Sequence, residues 1–247
     1  MFRCAVRGMI VGSVLALVAC GGGNDVIGPD SGSDASNPPA SGNGVPPPPG
    51  VTVAAVTEVA DGVLIGEAEE GSHVNPSDQW TEKSSLGGHL GSGYLVWKVG
   101  AGSHGTNGTG QGVIYYPFTI AKPGTYRLKL RMQEPSDGAA EDEDNDVFVG
   151  FHEVTTTWGS KAGNVIAAGS VKKMFHGGGK GSWDWGGNID GGDGNRQPPD
   201  VTFPQAGTYH LIIHGRSSHL HLDRWALIHE DSASGDLNRA LAPSGNG

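Results

Sequence analysis

The segment Gly124-Thr-Tyr-Arg-Leu-Lys-Leu-Arg-Met132 alternates apolar and charged residues along its length. In an extended chain Tyr126, Leu128, Leu130 and Met132 fall on one side, and Arg127, Lys129 and Arg131 on the other. A helix would scatter both sets around its axis, so the segment is a strand with one buried face. The period returns in Gly207-Thr-Tyr-His-Leu-Ile-Ile-His214, with Tyr209, Leu211 and Ile213 inward. Further strands are expected over 62–69, 93–99, 112–120, 145–151 and 219–229. The folded part sustains no helical period. The chain carries 43 glycines, many of them between short strands, which favours an all-β sandwich over a helical or βαβ protein.

Pro123-Gly-Thr-Tyr-Arg-Leu and Ala206-Gly-Thr-Tyr-His-Leu are near copies. Each follows a segment containing Phe (Phe118, Phe203) and opens an alternating strand. A glycine turn followed by a tyrosine at the strand entrance is sandwich chemistry, and the match is too short for a solenoid repeat.

The N-terminus is built differently. Arg3 and Arg7 precede an apolar run from Met9 to Val18, too short to span a bilayer as a stable helix. Residues 1–19 read as a signal peptide. The run Leu17-Val18-Ala19-Cys20 resembles the lipobox of bacterial lipoproteins, which implies cleavage before Cys20 and acylation of its thiol. Gly21 stands where an aspartate would resemble the inner-membrane retention signal. The expected location is therefore the outer membrane of a Gram-negative cell, with the lipid as the only membrane contact. Cys4 leaves with the signal, so the folded part has no disulfide, thiolate metal site or cysteine nucleophile. Residues 20–50 form the lipidated cysteine and a Gly/Ser/Pro linker, expected to be a disordered tether stiffened at Pro46–Pro49. The domain is expected over 51–235, followed by a flexible tail at 236–247.

Acidic residues outnumber basic ones, 26 against 16, which argues against nucleic acid and anionic lipid surfaces as partners. Asp137 to Asp146 carries six carboxylates, and Asp190-Gly-Gly-Asp193-Gly-Asn195 is also acidic. Both are open to a solvated-loop or a second-calcium reading, and neither has EF-hand spacing. His210 and His214 share a face, as do His219 and His221, without a motif that would make them metal ligands.

Several segments, taken in order, resemble one family. They are Glu67-Ala-Glu69, "PGTYRLKLR", "NDVFV", "AGTYHLIIHGRS" and "LHLDRWAL". Together they resemble β-sandwich carbohydrate-binding modules of families 6 and 35, over roughly residues 60–230. The resemblance implies a galactose-binding-like jelly roll. It also implies a structural calcium held by Glu67, Glu69 and Asp223. If the first strand runs through both glutamates, they point to the same side and repel unless a cation sits between them. The alternative is a solvated acidic edge that includes Glu70.

A sugar site needs a flat aromatic face and fixed polar groups. Trp183 and Trp185, in the glycine-rich segment 177–188, are the candidates for stacking. Arg131, Asn145, Asp146, Arg216, Ser217 and His219 are the candidates for hydroxyl contacts. A competing reading pairs Arg131 with Asp146 as an internal ion pair. Trp97, Trp158 and Trp225 are assigned to packing, and Trp80, in a polar loop, is left open. No GxSxG occurs, and Glu67 with Glu69 stand too close together for glycosidase roles. The resulting expectation is a non-catalytic, lipid-anchored, calcium-stabilised protein that binds polysaccharide or oligosaccharide. A small polysaccharide lyase or hydrolase, and an adhesive lipoprotein without sugar specificity, are the alternatives. The sequence leaves the oligomeric state undetermined.

Overall fold

The computed structural model describes residues 45–60, 62–75, 79–97, 111–136, 144–191 and 194–232. The signal peptide, Cys20, the linker before residue 45 and the tail at 236–247 lie outside the described residues. Two antiparallel sheets make a β-sandwich.

Ten strands form one sheet. Its main path runs β1 (Glu58–Ala60), β2 (Val63–Glu67), β17 (His221–His229), β7 (Gly124–Gln133), β15 (Pro199–Phe203), β9 (Thr156–Trp158) and β10 (Val165–Ile166). Three strands join from the side: β4 (Trp80–Lys83) and β5 (Tyr94–Trp97) on β17, and β12 (Asp184–Gly186) on β7. The second sheet runs β14 (Arg196–Gln197), β13 (Asn188–Asp190), β11 (Lys172–Phe175), β8 (Asp146–Phe151), β16 (Gly207–Gly215), β6 (Val113–Ile120) and β3 (Ser72–Asn75).

The alternation read from the sequence sets the core. On β7 Tyr126, Leu128, Leu130 and Met132 are fully buried, and Trp225 and Leu227 of β17 stand opposite Leu130 and Leu128. On β16 Tyr209, Leu211 and Ile213 are buried opposite Phe118, Tyr116 and Ile114 of β6. Each such side chain contributes about 1.5–3 kcal/mol by leaving water, the largest favourable term here. Gly66 faces Trp225 across β2 and β17; a Cβ at Gly66 would overlap the indole, so the glycine is a packing requirement.

The two GTY copies fold alike. Tyr126 donates its hydroxyl to Lys122 O at 2.7 Å, and Tyr209 donates to Gln205 O at 3.0 Å. Each tyrosine thus ties its strand entrance to the carbonyl four residues upstream, while its ring fills the core. This is the same logic as a tyrosine corner.

Three expectations need correction. The first strand stops at Glu67, and Ala68–Glu70 forms a 3-10 turn, so strand alternation does not carry Glu69 to the side of Glu67. Trp80 is not a loop residue. It lies on β4, buried against Trp97 with ring centroids 5.0 Å apart, and its indole N–H reaches Gly112 O at 2.8 Å. The domain also begins before residue 51. Pro48 is buried, Pro46 O lies 3.2 Å from His152 Nε2, and Val56 bridges β6 in parallel at Phe118. Trp97, Trp158 and Trp225 are buried, as expected. No helix among the described residues is long and apolar enough to cross a membrane.

Candidate functional site

One end of the sandwich collects most of the candidate residues. There β7 ends at Gln133, β17 begins at His221, β8 begins at Asp146, β16 ends at Gly215 and β11 ends at Phe175. The segments 176–183 and 216–220 connect strands at this end, while segment 84–93, which joins β4 to β5, runs along the sheet past Asp223 and reaches Trp183 through Gly87 O.

Trp183 is an aromatic group of this end that keeps contact with solvent. It is half-buried, with its indole N–H donated to Gly87 O at 3.1 Å. Its ring meets buried Tyr94 edge-on at 5.3 Å, and His221 lies 5.9 Å away. The Arg131 guanidinium sits 5.2 Å from the ring centroid. Tyr94 also packs on His89 at 5.6 Å and on His221 at 5.2 Å, and Gln133 Oε1 lies 3.0 Å from His221 Nδ1. Sequence reasoning missed Tyr94, His89, His221 and Gln133 as companions of Trp183. Each sits on or beside a different strand, so no local pattern links them. Trp185 is half-buried opposite Arg131 in the β12–β7 pairing, with its indole nitrogen buried and unpartnered among the described residues.

The polar candidates divide into a frame and an accessible set. Arg131 does not pair with Asp146, because β7 and β8 belong to different sheets. It binds Asp223 directly and donates to Gly88 O at 2.8 Å. Asp146 is instead held by Arg216, and Lys173 Nζ stands 4.0 Å away. Ser217 Oγ accepts the Asp146 N–H at 3.1 Å, and Asp146 O accepts the Ser217 N–H at 3.0 Å. These four residues lock the strand ends together. Asn145 is half-buried and gives its backbone carbonyl to the His176 N–H at 2.8 Å. His219 is exposed, in the left-handed region at φ 63°, with its N–H bonded to Trp97 O at 2.8 Å. Asp184 is exposed beside Trp183 and Trp185.

The three carboxylates expected to hold calcium lie on the outer face and flank of the ten-stranded sheet. Glu67 takes Arg224 Nε at 2.7 Å and Nη2 at 2.5 Å. Asp223 takes Arg131 and the Leu90 N–H, at 3.1 and 3.2 Å to its two oxygens. Glu69 Oε1 accepts Ser92 Oγ–H at 2.8 Å and the Gly93 N–H at 3.0 Å. Burial pushes all three carboxyls above their ordinary range. Arg224 opposes this at Glu67 and Arg131 at Asp223, while Glu67 and Asp223 add to the rise at Glu69. Among the described residues no group of three or more His, Cys, Asp or Glu side chains is arranged to hold a metal ion. Asp137, Glu141, Asp142, Glu143 and Asp193 lie outside the described residues. Asp190 is paired with Lys173 at 2.6 Å, and His210 with Glu153 at 2.6 Å.

No family model matches the sequence, and no curated protein matches it. Solved structures similar to this chain include a GH26–CBM35 β-(1,4)-mannanase from Podospora anserina, at 16% identity and a TM-score of 0.43. That match covers 70% of this chain but only 29% of the mannanase. The C-terminal family 6 module of a marine laminarinase from Zobellia galactanivorans is similar at 14% identity and a TM-score of 0.38, covering 67% of this chain and 98% of the module. A family 35 carbohydrate-binding module from Clostridium thermocellum is similar at 12% identity and a TM-score of 0.37, covering 68% and 98%.

Proposed function

We propose that this chain is a non-catalytic polysaccharide-binding protein, anchored by lipid at Cys20 in the outer membrane of a Gram-negative cell. The sugar site is the loop end of the sandwich, with Trp183 as its platform. The observation that carries this reading is the way Trp183 is held. A hydrogen bond to Gly87 O, the edge of Tyr94 and the Arg131 guanidinium fix the ring while part of it stays in water. An aromatic side chain ordered in advance loses little entropy when a pyranose stacks on it. Asn145, Asp184 and His219 supply accessible donors and acceptors at the same end, and Arg131, Asp146, Arg216 and Ser217 form the frame beneath.

The absence of catalysis is part of the proposal. Hydrolysis of a glycosidic bond uses two carboxyl groups in complementary protonation states. Asp146 and Asp223 are paired with Arg216 and Arg131, which engages both carboxyl groups in the frame. Many copies on one membrane would bind a repeating polymer with avidity that a single module lacks.

The test is a glycan array on the wild-type chain and on Trp183→Ala and Trp185→Ala, with melting curves on the same samples. Trp183→Ala should lose most glycan binding and stay folded. Normal binding by folded Trp183→Ala moves the site elsewhere. Release of reducing ends or unsaturated products by the wild type replaces the reading with the enzyme alternative. For the anchor, Cys20→Ser should leave the membrane fraction; retention there with no incorporation of labelled palmitate into the wild type refutes lipidation.

A further inference from the structure

Arg224 faces a difficulty created by strand register. It stands directly opposite Glu67 on β2 and directly opposite Arg131 on β7. Like charges facing each other across a strand pair repel. The register between β17 and β7 shifts between Leu222 and Arg224, and Asp223 is the residue left without a partner there. A bulge of this kind re-aims a side chain. Here it brings the Asp223 carboxylate onto Arg131, while Glu67 takes Arg224 through both oxygens. Carboxylates and guanidiniums therefore bind β2, β17 and β7 into one strip. Both arginines are buried, and Arg131 is further fixed by Gly88 O and Trp183.

Two of the three carboxylates that the family resemblance assigns to calcium are thus engaged by cations of the chain itself. A divalent ion among them would lie against two buried guanidiniums that cannot lose their charge. Glu69 differs from the other two. Its Oε1 is satisfied by Ser92 and Gly93, while its Oε2 is buried with no hydrogen-bond partner among the described residues.

We propose that Arg131 and Arg224 replace calcium in this chain, so that the joint between β2, β17 and β7 is an arginine–carboxylate clamp that needs no divalent ion. Glu69 is then a surplus charge at the edge of the clamp and not a ligand. This inference is independent of the glycan reading.

Glu69→Gln separates the two possibilities by sign. The amide oxygen keeps the bonds to Ser92 and Gly93, and the surplus charge disappears. The clamp therefore requires Glu69→Gln to melt at or above the wild type, and a calcium site requires it to melt below. Wild-type protein should melt at the same temperature after dialysis against EDTA and after addition of millimolar calcium chloride. Terbium should give no sensitised emission that calcium displaces. Arg224→Gln, which strands Glu67 beside Asp223, should lower the melting temperature under both conditions. A calcium-dependent rise in melting temperature that Glu69→Gln abolishes overturns the proposal, as does stoichiometric terbium binding reversed by calcium. Should Arg224→Gln fail to fold, the wild-type and Glu69→Gln measurements still decide.

Discussion

His214 ties the stability of this domain to pH. It lies on β16 opposite Phe148 of β8, on the side of the sheet away from the core. Burial pushes its ring from 6.5 down to about 4, and its Nδ1 is buried with no hydrogen-bond partner among the described residues. The folded ring thus takes up a proton less readily than the unfolded one. Between pH 6.5 and 4 the unfolded chain binds more protons, so stability is complete above pH 6.5 and falls as the pH drops towards 4. At about 1.4 kcal/mol per pH unit, the gap sets a ceiling of roughly 3 kcal/mol. The ring keeps some exposure, so the measured loss should fall below that ceiling. For a domain of this size the ceiling corresponds to roughly 6–12 °C in melting temperature. Burial shifts His73 and His176 in the same direction, whereas the raised carboxyls of Glu67, Glu69 and Asp223 contribute with the opposite sign. The wild-type curve alone is therefore a sum, and its difference from His214→Gln isolates the single ring. Melting temperatures of both proteins should be recorded from pH 7.5 to 4, with the His214 ring followed by NMR. A ring that titrates near 6.5 in the folded protein would falsify the reasoning. So would a variant whose stability falls with pH as steeply as that of the wild type.

Tyr126→Phe and Tyr209→Phe should each cost about 1 kcal/mol in urea unfolding, since each removes a hydroxyl-to-carbonyl bond (at Tyr126 also the 3.2 Å contact with Glu58 Oε1) and keeps the packed ring; no loss at either would mean that the rings alone order the strand entrances. Gly66→Ala should destabilise by about 1–3 kcal/mol, because its methyl meets the buried Trp225 indole and not solvent; an unchanged melting temperature would show that the indole can shift freely.

The parts of this fold that were legible depend on period and turn chemistry. The alternation of β7 and β16 identified Tyr126, Leu128, Leu130, Met132, Tyr209, Leu211 and Ile213 as core because a strand presents the same face every second residue. The GTY copies could be read as strand entrances because their glycine and tyrosine act locally. What escaped was set by partners distant in sequence. Trp80 lies among polar neighbours in sequence and reads as a loop residue, yet it packs buried against Trp97 and donates its indole N–H to the Gly112 carbonyl. Glu69 looked like a strand residue until the strand gave way to a 3-10 turn at Ala68. Arg131 could be matched with either Asp146 or Asp223 on charge alone, and only the assignment of strands to sheets decides between them. The β17 bulge that aims Asp223 has no sequence signature that separates it from regular strand.

The entry of the chain through Pro48 has a mechanical consequence. If the chain is held at Cys20, as proposed, drag on a bound polymer reaches the domain as tension through that entry. The load would first meet Pro48 in its seat and the contact between Pro46 and His152. Beyond these, Ser72 Oγ accepts the N–H groups of Thr52 and Val53, and Val56 makes two backbone bonds to β6 at 2.9 and 2.8 Å. Only then would the pull reach the short β1–β2 pair in the opposite sheet. Small contacts in series yield one at a time, each freeing a few residues. In an anchored chain the segment would then act as a shock absorber, giving slack under sudden strain before the sandwich itself is asked to unfold.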